Sequence, residues 1–262
     1  MNWEGLDSSI LGPACLAGLI VLATHVPLGT RVLARGIIFI DLAIAQIAAL
    51  GVILAQFLGM DEHGFGVQVA AAIAALLGAS LLSATDKRWP GFQEPLIGTV
   101  FVLAATGSLL LLANNPHGGE HLKDLLVGQI LWVSPAQLWT AAIASLVLLA
   151  VIAWRGERLT GLAFYAVFAL AITITVQLIG VYLVFTSLIV PALATTGMRG
   201  HRRWVVAYVI GATGYVSGLV LSAVLDLPSG AMIVWTLALS GLLAQALPLR
   251  RAQRQAALEG EA

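Results

Sequence analysis

Apolar runs of about 20 residues recur along the whole of this chain, separated only by short polar gaps, and that rhythm leaves few folds open. A bilayer core of roughly 30 Å needs about 20 helical residues per crossing. Of the 262 residues 60% are hydrophobic and only 10% are charged, too few charges for the surface of a soluble domain this long. The expected fold is all-α: a polytopic bundle of transmembrane helices, forming one domain over residues 1–262 with no linker and no soluble module.

The charges set the topology. Twelve of the 13 Lys and Arg residues fall in five gaps: Arg31 and Arg35; Lys87 and Arg88; Arg155 and Arg158; Arg199, Arg202 and Arg203; Arg250, Arg251 and Arg254. The gaps between them carry acids: Glu4 and Asp7, Asp61 and Glu62, Glu120 and Asp124, Asp226. By the positive-inside rule the basic gaps are cytoplasmic, the N-terminus lies outside and the C-terminus inside. An odd number of spans follows. Nine are expected, at approximately Ile10–Val26, Gly36–Leu58, Val67–Thr85, Pro95–Ala113, Ala136–Trp154, Leu159–Val176, Gln177–Thr195, Trp204–Leu225 and Ala231–Leu249. Leu125–Val133 is apolar but too short to cross, so it is expected to be a re-entrant or interfacial piece or an outer extension of the fifth span.

The acidic start MNWEGLD lacks a basic n-region and does not read as a cleaved signal peptide. The single Cys15 permits neither a disulfide framework nor a cysteine metal site within one chain. There is no GxxxxGK[ST], HExxH or GxSxG, and no pair of acids inside the spans that could run hydrolysis. The chain is therefore not expected to be an enzyme. Movement of a solute across the bilayer is the better expectation.

Asp41 is the one clear charge within a span. A carboxylate in a membrane helix costs roughly 2.5–3.5 kcal/mol on insertion scales and is a functional candidate for that reason. The structural alternative is an ion pair with Arg35 or another basic loop residue. Ala43, Ala45, Ala48, Ala49 and Gly51 make this helix slim and suited to close packing. Gln46 and Gln56 add polar groups that need partners or a wet path. At 100° per residue Asp41 and Gln46 stand about 140° apart, so they converge on one site only if the helix is distorted.

Two loops hold the remaining candidates. NPHGGEHLKD, from Asn115 to Asp124, gathers His117, Glu120, His121 and Asp124 on the outer side. A flexible loop could wrap a cation with His117, Glu120 and His121, or serve as a polar contact for an external partner. Asp61, Glu62 and His63 form a lesser cluster on the neighbouring outer loop. On the inner side VPALATTGMRGHRRW runs from Val190 to Trp204; Pro191 is expected to break the span, and the residues after it to form a short helix along the membrane surface. Simple topogenic charge is the plainer role for Arg199, Arg202 and Arg203.

Four stretches carry a family resemblance: RGIIFIDLAIAQIAALGVILA, LLVGQILWVSPAQL, QLIGVYLVFTSLIVPALAT and LDLPSGAMIV. In this order they resemble the integral-membrane subunits of the zinc/manganese/iron ABC importers, the ABC-3 family. The resemblance implies a type II importer-like fold. It implies, too, a path flanked by an Asp and a His at i, i+4 of the second span. Aligned without a gap, those positions fall on Leu42 and Gln46, while Asp41 takes the place of a small residue. A Gln carbonyl is a poor substitute for imidazole toward borderline metals. Either Asp41 and Gln46 make a modified site in a locally unwound helix, or metal binding has moved elsewhere.

The resemblance further implies a bacterial inner-membrane, multi-pass permease that imports a divalent transition metal, zinc or manganese, as cargo, with no bound cofactor. Its partners would be a separate ATP-binding cassette ATPase, an extracytoplasmic solute-binding protein, a second permease copy and lipid, with no nucleic acid. Pro191, Thr195, Met198, Arg199, Arg202 and Arg203 would then contact the ATPase. The alternatives are a permease for a metal chelate or other small solute, and an ion-coupled secondary transporter.

Overall fold

The structure, a computed structural model, describes residues 8–61, 64–112, 126 and 128–246. Nine α-helices lie wholly within those residues: α1 (Ser8–Arg35), α2 (Ile40–Phe57), α3 (Phe65–Arg88), α4 (Gln93–Leu112), α5 (Pro135–Arg155), α6 (Gly161–Ile179), α7 (Val181–Ala194), α8 (Gly200–Leu225) and α9 (Ser229–Ala246). Eight of them are long and apolar enough to cross a membrane. The ninth, α7, has 14 residues and rises only about 21 Å at 1.5 Å per residue.

The core is built around α2 and α6, each 61% buried over its apolar window, against 22% for α4 and 28% for α5 and α9. Helix α2 packs between α3, α4 and α6; α1 packs on α5, α7 and α8; α9 packs on α7 and α8. Small residues allow these approaches. A Cβ on Gly51 would lie 3.0 Å from Ala70 O and 2.7 Å from Ala74 Cβ, so α2 and α3 are in near-backbone contact there.

Several boundaries differ from the sequence expectation, each for a physical reason. The first helix does not stop at Val26 but continues through Pro27 to Arg35. Pro27 has no N–H for the carbonyl of Ala23, four residues back, and the Tyr208 hydroxyl of α8 donates to that oxygen instead at 3.2 Å. Pro27 O in turn accepts from Thr30 Oγ1 at 3.0 Å and Arg31 Nη1 at 3.2 Å. Arg31 and Arg35 are thus helical residues, not loop residues.

The second helix begins at Ile40, not Gly36, which puts Asp41 in its first turn instead of mid-span. The break between the sixth and seventh spans falls at Gly180, whose φ of 78° and ψ of 163° suit glycine; Gln177 stays inside α6. Gly128 (φ 72°) nestles against that break, where any Cβ would overlap the backbone of Ile179. The neighbouring Ile130–Trp132 is a single 3-10 turn packed on α1, with Ile130 buried. It is not an extension of the fifth span, because α5 has its own start: Ser134 Oγ accepts from Gln137 N at 3.3 Å and Gln137 Oε1 accepts from Ser134 N at 2.8 Å.

Pro191 does not break its span, since it sits inside α7. No separate surface helix follows it. Thr195–Gly197 turn, and Gly200–Arg203 already form the first turn of α8.

Candidate functional site

The face of α2 that carries Leu42 and Gln46 lines a cavity of about 580 Å3. Its other walls come from α4 (Phe101, Ala105, Leu109), α7 (Val181, Tyr182, Phe185, Thr186) and α9 (Gly230, Ala231, Val234, Trp235), with Leu126 at one side. The lining is mostly apolar, and its polar side chains are those of Gln46, Thr186, Tyr182 and the Trp235 indole. The Thr186 hydroxyl donates back to Tyr182 O at 2.8 Å, so it is partly committed to its own helix. Tyr182, Leu109 and Trp235 are more than half exposed, so the described residues leave the cavity without a complete wall on the side of α4, α7 and α9.

Asp41 is not in that lining. It is 1% exposed at the foot of α2, and neither carboxylate oxygen has a hydrogen-bond partner. Helix α2 runs unbroken from Ile40 to Phe57, so the locally unwound site that would join Asp41 to Gln46 is not present. The expected pairing with Arg35 is absent too. Arg35 Nη2 donates to Leu159 O at 2.8 Å, and its guanidinium lies 3.6 Å from the ring centroid of Phe164.

Glu94, in the first turn of α4, was passed over in the sequence. Its Oε1 accepts from Phe39 N at 3.4 Å, at the foot of α2, while its Oε2 is buried without a partner. The only sequence signal for it is an acid in a basic gap, GFQEP between Arg88 and the fourth run. His25 was passed over as well. It is fully buried in α1, with Nδ1 3.2 Å from Thr24 Oγ1 and Nε2 3.4 Å from Thr175 Oγ1, so both ring nitrogens have hydroxyl neighbours and its role is structural.

His117, Glu120, His121 and Asp124 lie outside the described residues, as do Glu62 and His63; Asp61 is exposed. Among the described residues no group of three or more His, Cys, Asp or Glu side chains could hold a metal ion. Of the inner residues, Arg199 and Arg202 are exposed, and Met198 and Arg203 are half-buried. Thr195 is fully buried, its hydroxyl donating to Pro191 O at 2.8 Å, so its side chain does not reach the surface.

Comparison with known proteins gives four findings. The model of the ABC 3 transport family matches residues 7–164 and 157–247. The manganese transport system membrane protein MntC of Halalkalibacterium halodurans is 27% identical over 252 residues, 87% of this chain and 84% of that protein. Among solved structures, PsaBC from Streptococcus pneumoniae in complex with Fab superposes with a TM-score of 0.74 at 20% identity, over 95% of this chain and 99% of that one. An inward-facing ABC transporter assigned to the metal-chelate type gives a TM-score of 0.65 at 16% identity, over 90% and 85%. These two likenesses are of fold.

Proposed function

The chain belongs to the ABC-3 transport family, and from that premise we propose that it is the membrane-spanning permease subunit of an ATP-binding cassette importer for a divalent transition metal, manganese foremost and zinc second. The observation that carries the reading is the coincidence of two independent features. The family match runs through nearly the whole described bundle, and the two α2 positions where the family's Asp and His would fall, Leu42 and Gln46, both face the one cavity described here. The manganese relative supports manganese over zinc. So does the donor chemistry of the wall, which among the described residues offers amide and hydroxyl oxygens and no imidazole or thiolate.

The missing wall supports a second permease copy. Half-exposed Tyr182, Leu109 and Trp235 would be covered if two copies met across α4, α7 and α9, and rocking of the pair would open the path to each side in turn. ATP hydrolysis belongs to a separate chain on the basic end. There the exposed Arg199 and Arg202, at the α7–α8 junction, are the side chains best placed to meet it. A solute-binding protein would deliver cargo at the opposite end. With the basic gaps inside, single cysteines placed at Arg88 and Arg158 should resist labelling in intact cells, whereas cysteines at His63 and His117 should react.

The deciding experiment is reconstitution of the chain with its ATPase and binding protein in liposomes. ATP-dependent uptake of radioactive manganese, competed less well by zinc, is the expected result. Uptake of zinc alone would replace the metal, and uptake of neither would remove the metal reading. Arg199→Glu with Arg202→Glu should leave the bundle inserted but break the link between hydrolysis and uptake.

A further inference from the structure

Asp41 and Glu94 meet at the basic end of the bundle, where the first turns of α2 and α4 come together. Asp41 is 1% exposed, and its two carboxylate oxygens have no hydrogen-bond partner; Glu94 Oε2 is buried and has none either. Glu94 Oε1 accepts from the amide of Phe39, two residues before Asp41, which brings the second carboxylate to the foot of α2. Three bases at this end are engaged elsewhere, while Arg203 Nε, at the start of α8, is buried without a hydrogen-bond partner. Arg31 donates to Pro27 O, Arg35 to Leu159 O with its guanidinium over Phe164, and Arg88 lies over Trp89.

Two carboxylates that bury three oxygens, with no base hydrogen-bonded to those oxygens, are stabilised as a pair of anions by a cation shared between them. The place is also continuous with the cavity. Leu42, the residue after Asp41, is part of its lining. Glu94 precedes the lining residue Phe101 by seven positions, two helical turns or roughly 10 Å along the same face of α4. Phe39 joins the two regions: its amide donates to Glu94, and its ring stacks on Phe185 of the cavity wall with centroids 6.1 Å apart.

We propose that Asp41 and Glu94 form an oxygen-donor site for a divalent cation at the basic end of the bundle, next to Phe39. The site differs from the Leu42 and Gln46 positions of the cavity wall. It supplies carboxylate oxygens alone, the ligand set of hard ions such as Mn2+. It rests on the reading of the chain as a divalent-metal permease and adds a second station to the path, next to the compartment that the basic gaps mark as cytoplasmic.

The test is Mn2+ binding to the purified full-length chain in nanodiscs, read from the loss of the free-ion electron paramagnetic resonance signal. Wild type should bind Mn2+. Asp41→Asn and Glu94→Gln should each weaken that binding at least tenfold, and Glu157→Gln, an exposed acid at the same end, should leave it unchanged. Asp41 is the more buried of the pair, so if Asp41→Asn fails to fold, the half-buried Glu94→Gln carries the test alone. Wild-type binding in Glu94→Gln, or no binding by the wild-type chain, overturns the proposal. Uptake measured in parallel separates it from the reading beneath it. Manganese uptake by a chain whose Glu94→Gln variant binds Mn2+ normally would sink this site and keep the permease. Lost binding in both variants, from a complex that moves no manganese, would keep the site and sink the cargo.

Discussion

Two sets of polar residues lie side by side at the basic end of the bundle, and they are solved in opposite ways. In the first, nearly every group is paired. Arg35 reaches Leu159 O and Phe164, Gln93 Nε2 donates to Leu82 O at 2.9 Å and Tyr165 OH at 3.1 Å, and Thr85 Oγ1 donates to Gln93 Oε1 at 3.2 Å. Those contacts tie α1, α3, α4 and α6 and the α5–α6 junction together. In the second set, Asp41 and Glu94, three carboxylate oxygens are buried and unpaired. Gln93 and Glu94 are adjacent in sequence, yet about 100° apart on α4, so one turns to α3 and α6 and the other to α2. A satisfied polar knot in a low-dielectric setting adds rigidity, whereas an unsatisfied charge lowers stability and persists only if something other than stability retains it.

That contrast predicts a split between transport and stability, and the largest effect tests it most directly. Asp41→Asn keeps the shape and removes the charge, so manganese uptake should fall at least tenfold while membrane abundance holds and the unfolding temperature is no lower than in wild type. Uptake at the wild-type rate would show that the unpaired acid is not used. Arg35→Ala should do the reverse. Loss of a charged hydrogen bond and of a cation–π contact is worth about 2–3 kcal/mol, to be read as a lower unfolding temperature and lower abundance, with residual uptake scaling to the protein present. Matching phenotypes for Asp41→Asn and Arg35→Ala would restore the ion pair that the geometry denies.

A smaller effect belongs to Gln93. Replacing it with Leu keeps its bulk but removes its bonds to Leu82 O, the Tyr165 hydroxyl and Thr85 Oγ1, at a cost of about 1–2 kcal/mol, because Leu82 O keeps Thr85 Oγ1 at 2.9 Å. Uptake per folded molecule should be unchanged, although Glu94 is the next residue. A selective loss of uptake would mean that the knot also positions the acid pair.

Among the described residues the order of the apolar helices was legible in the sequence because, in a bilayer, length and apolarity decide which segments cross, and both are local. Helix ends were not. Pro27 looks like a stop, and it is overridden by Tyr208, a hydroxyl 185 residues away from the carbonyl that it satisfies. Pro191, which also reads as a break, lies inside α7. The site was legible only in part. The family resemblance singled out Leu42 and Gln46, which line the cavity, and the helix wheel set Gln46 apart from Asp41. Glu94 could not be recognised, because in sequence it is one acid in a basic gap; its meaning depends on the foot of α4 lying against the foot of α2.

The smallest predicted effect is also the finest probe of the satisfied set. Tyr165→Phe removes one hydroxyl from a ring buried between Phe164 and its neighbours, and leaves the packing intact. Gln93 Nε2 keeps its bond to Leu82 O, and Asp86, which also bears on the hydroxyl, is half-buried and can turn to water. The loss should therefore be about 1 kcal/mol or less. Because Gln93 and Tyr165 share a bond, the Gln93→Leu, Tyr165→Phe double variant should be less destabilised than the sum of the two singles. Additive losses in a double-mutant cycle of thermal unfolding would mean that the 3.1 Å contact contributes nothing, and the knot would then be two separate pairs, Arg35 with Phe164 and Gln93 with Leu82.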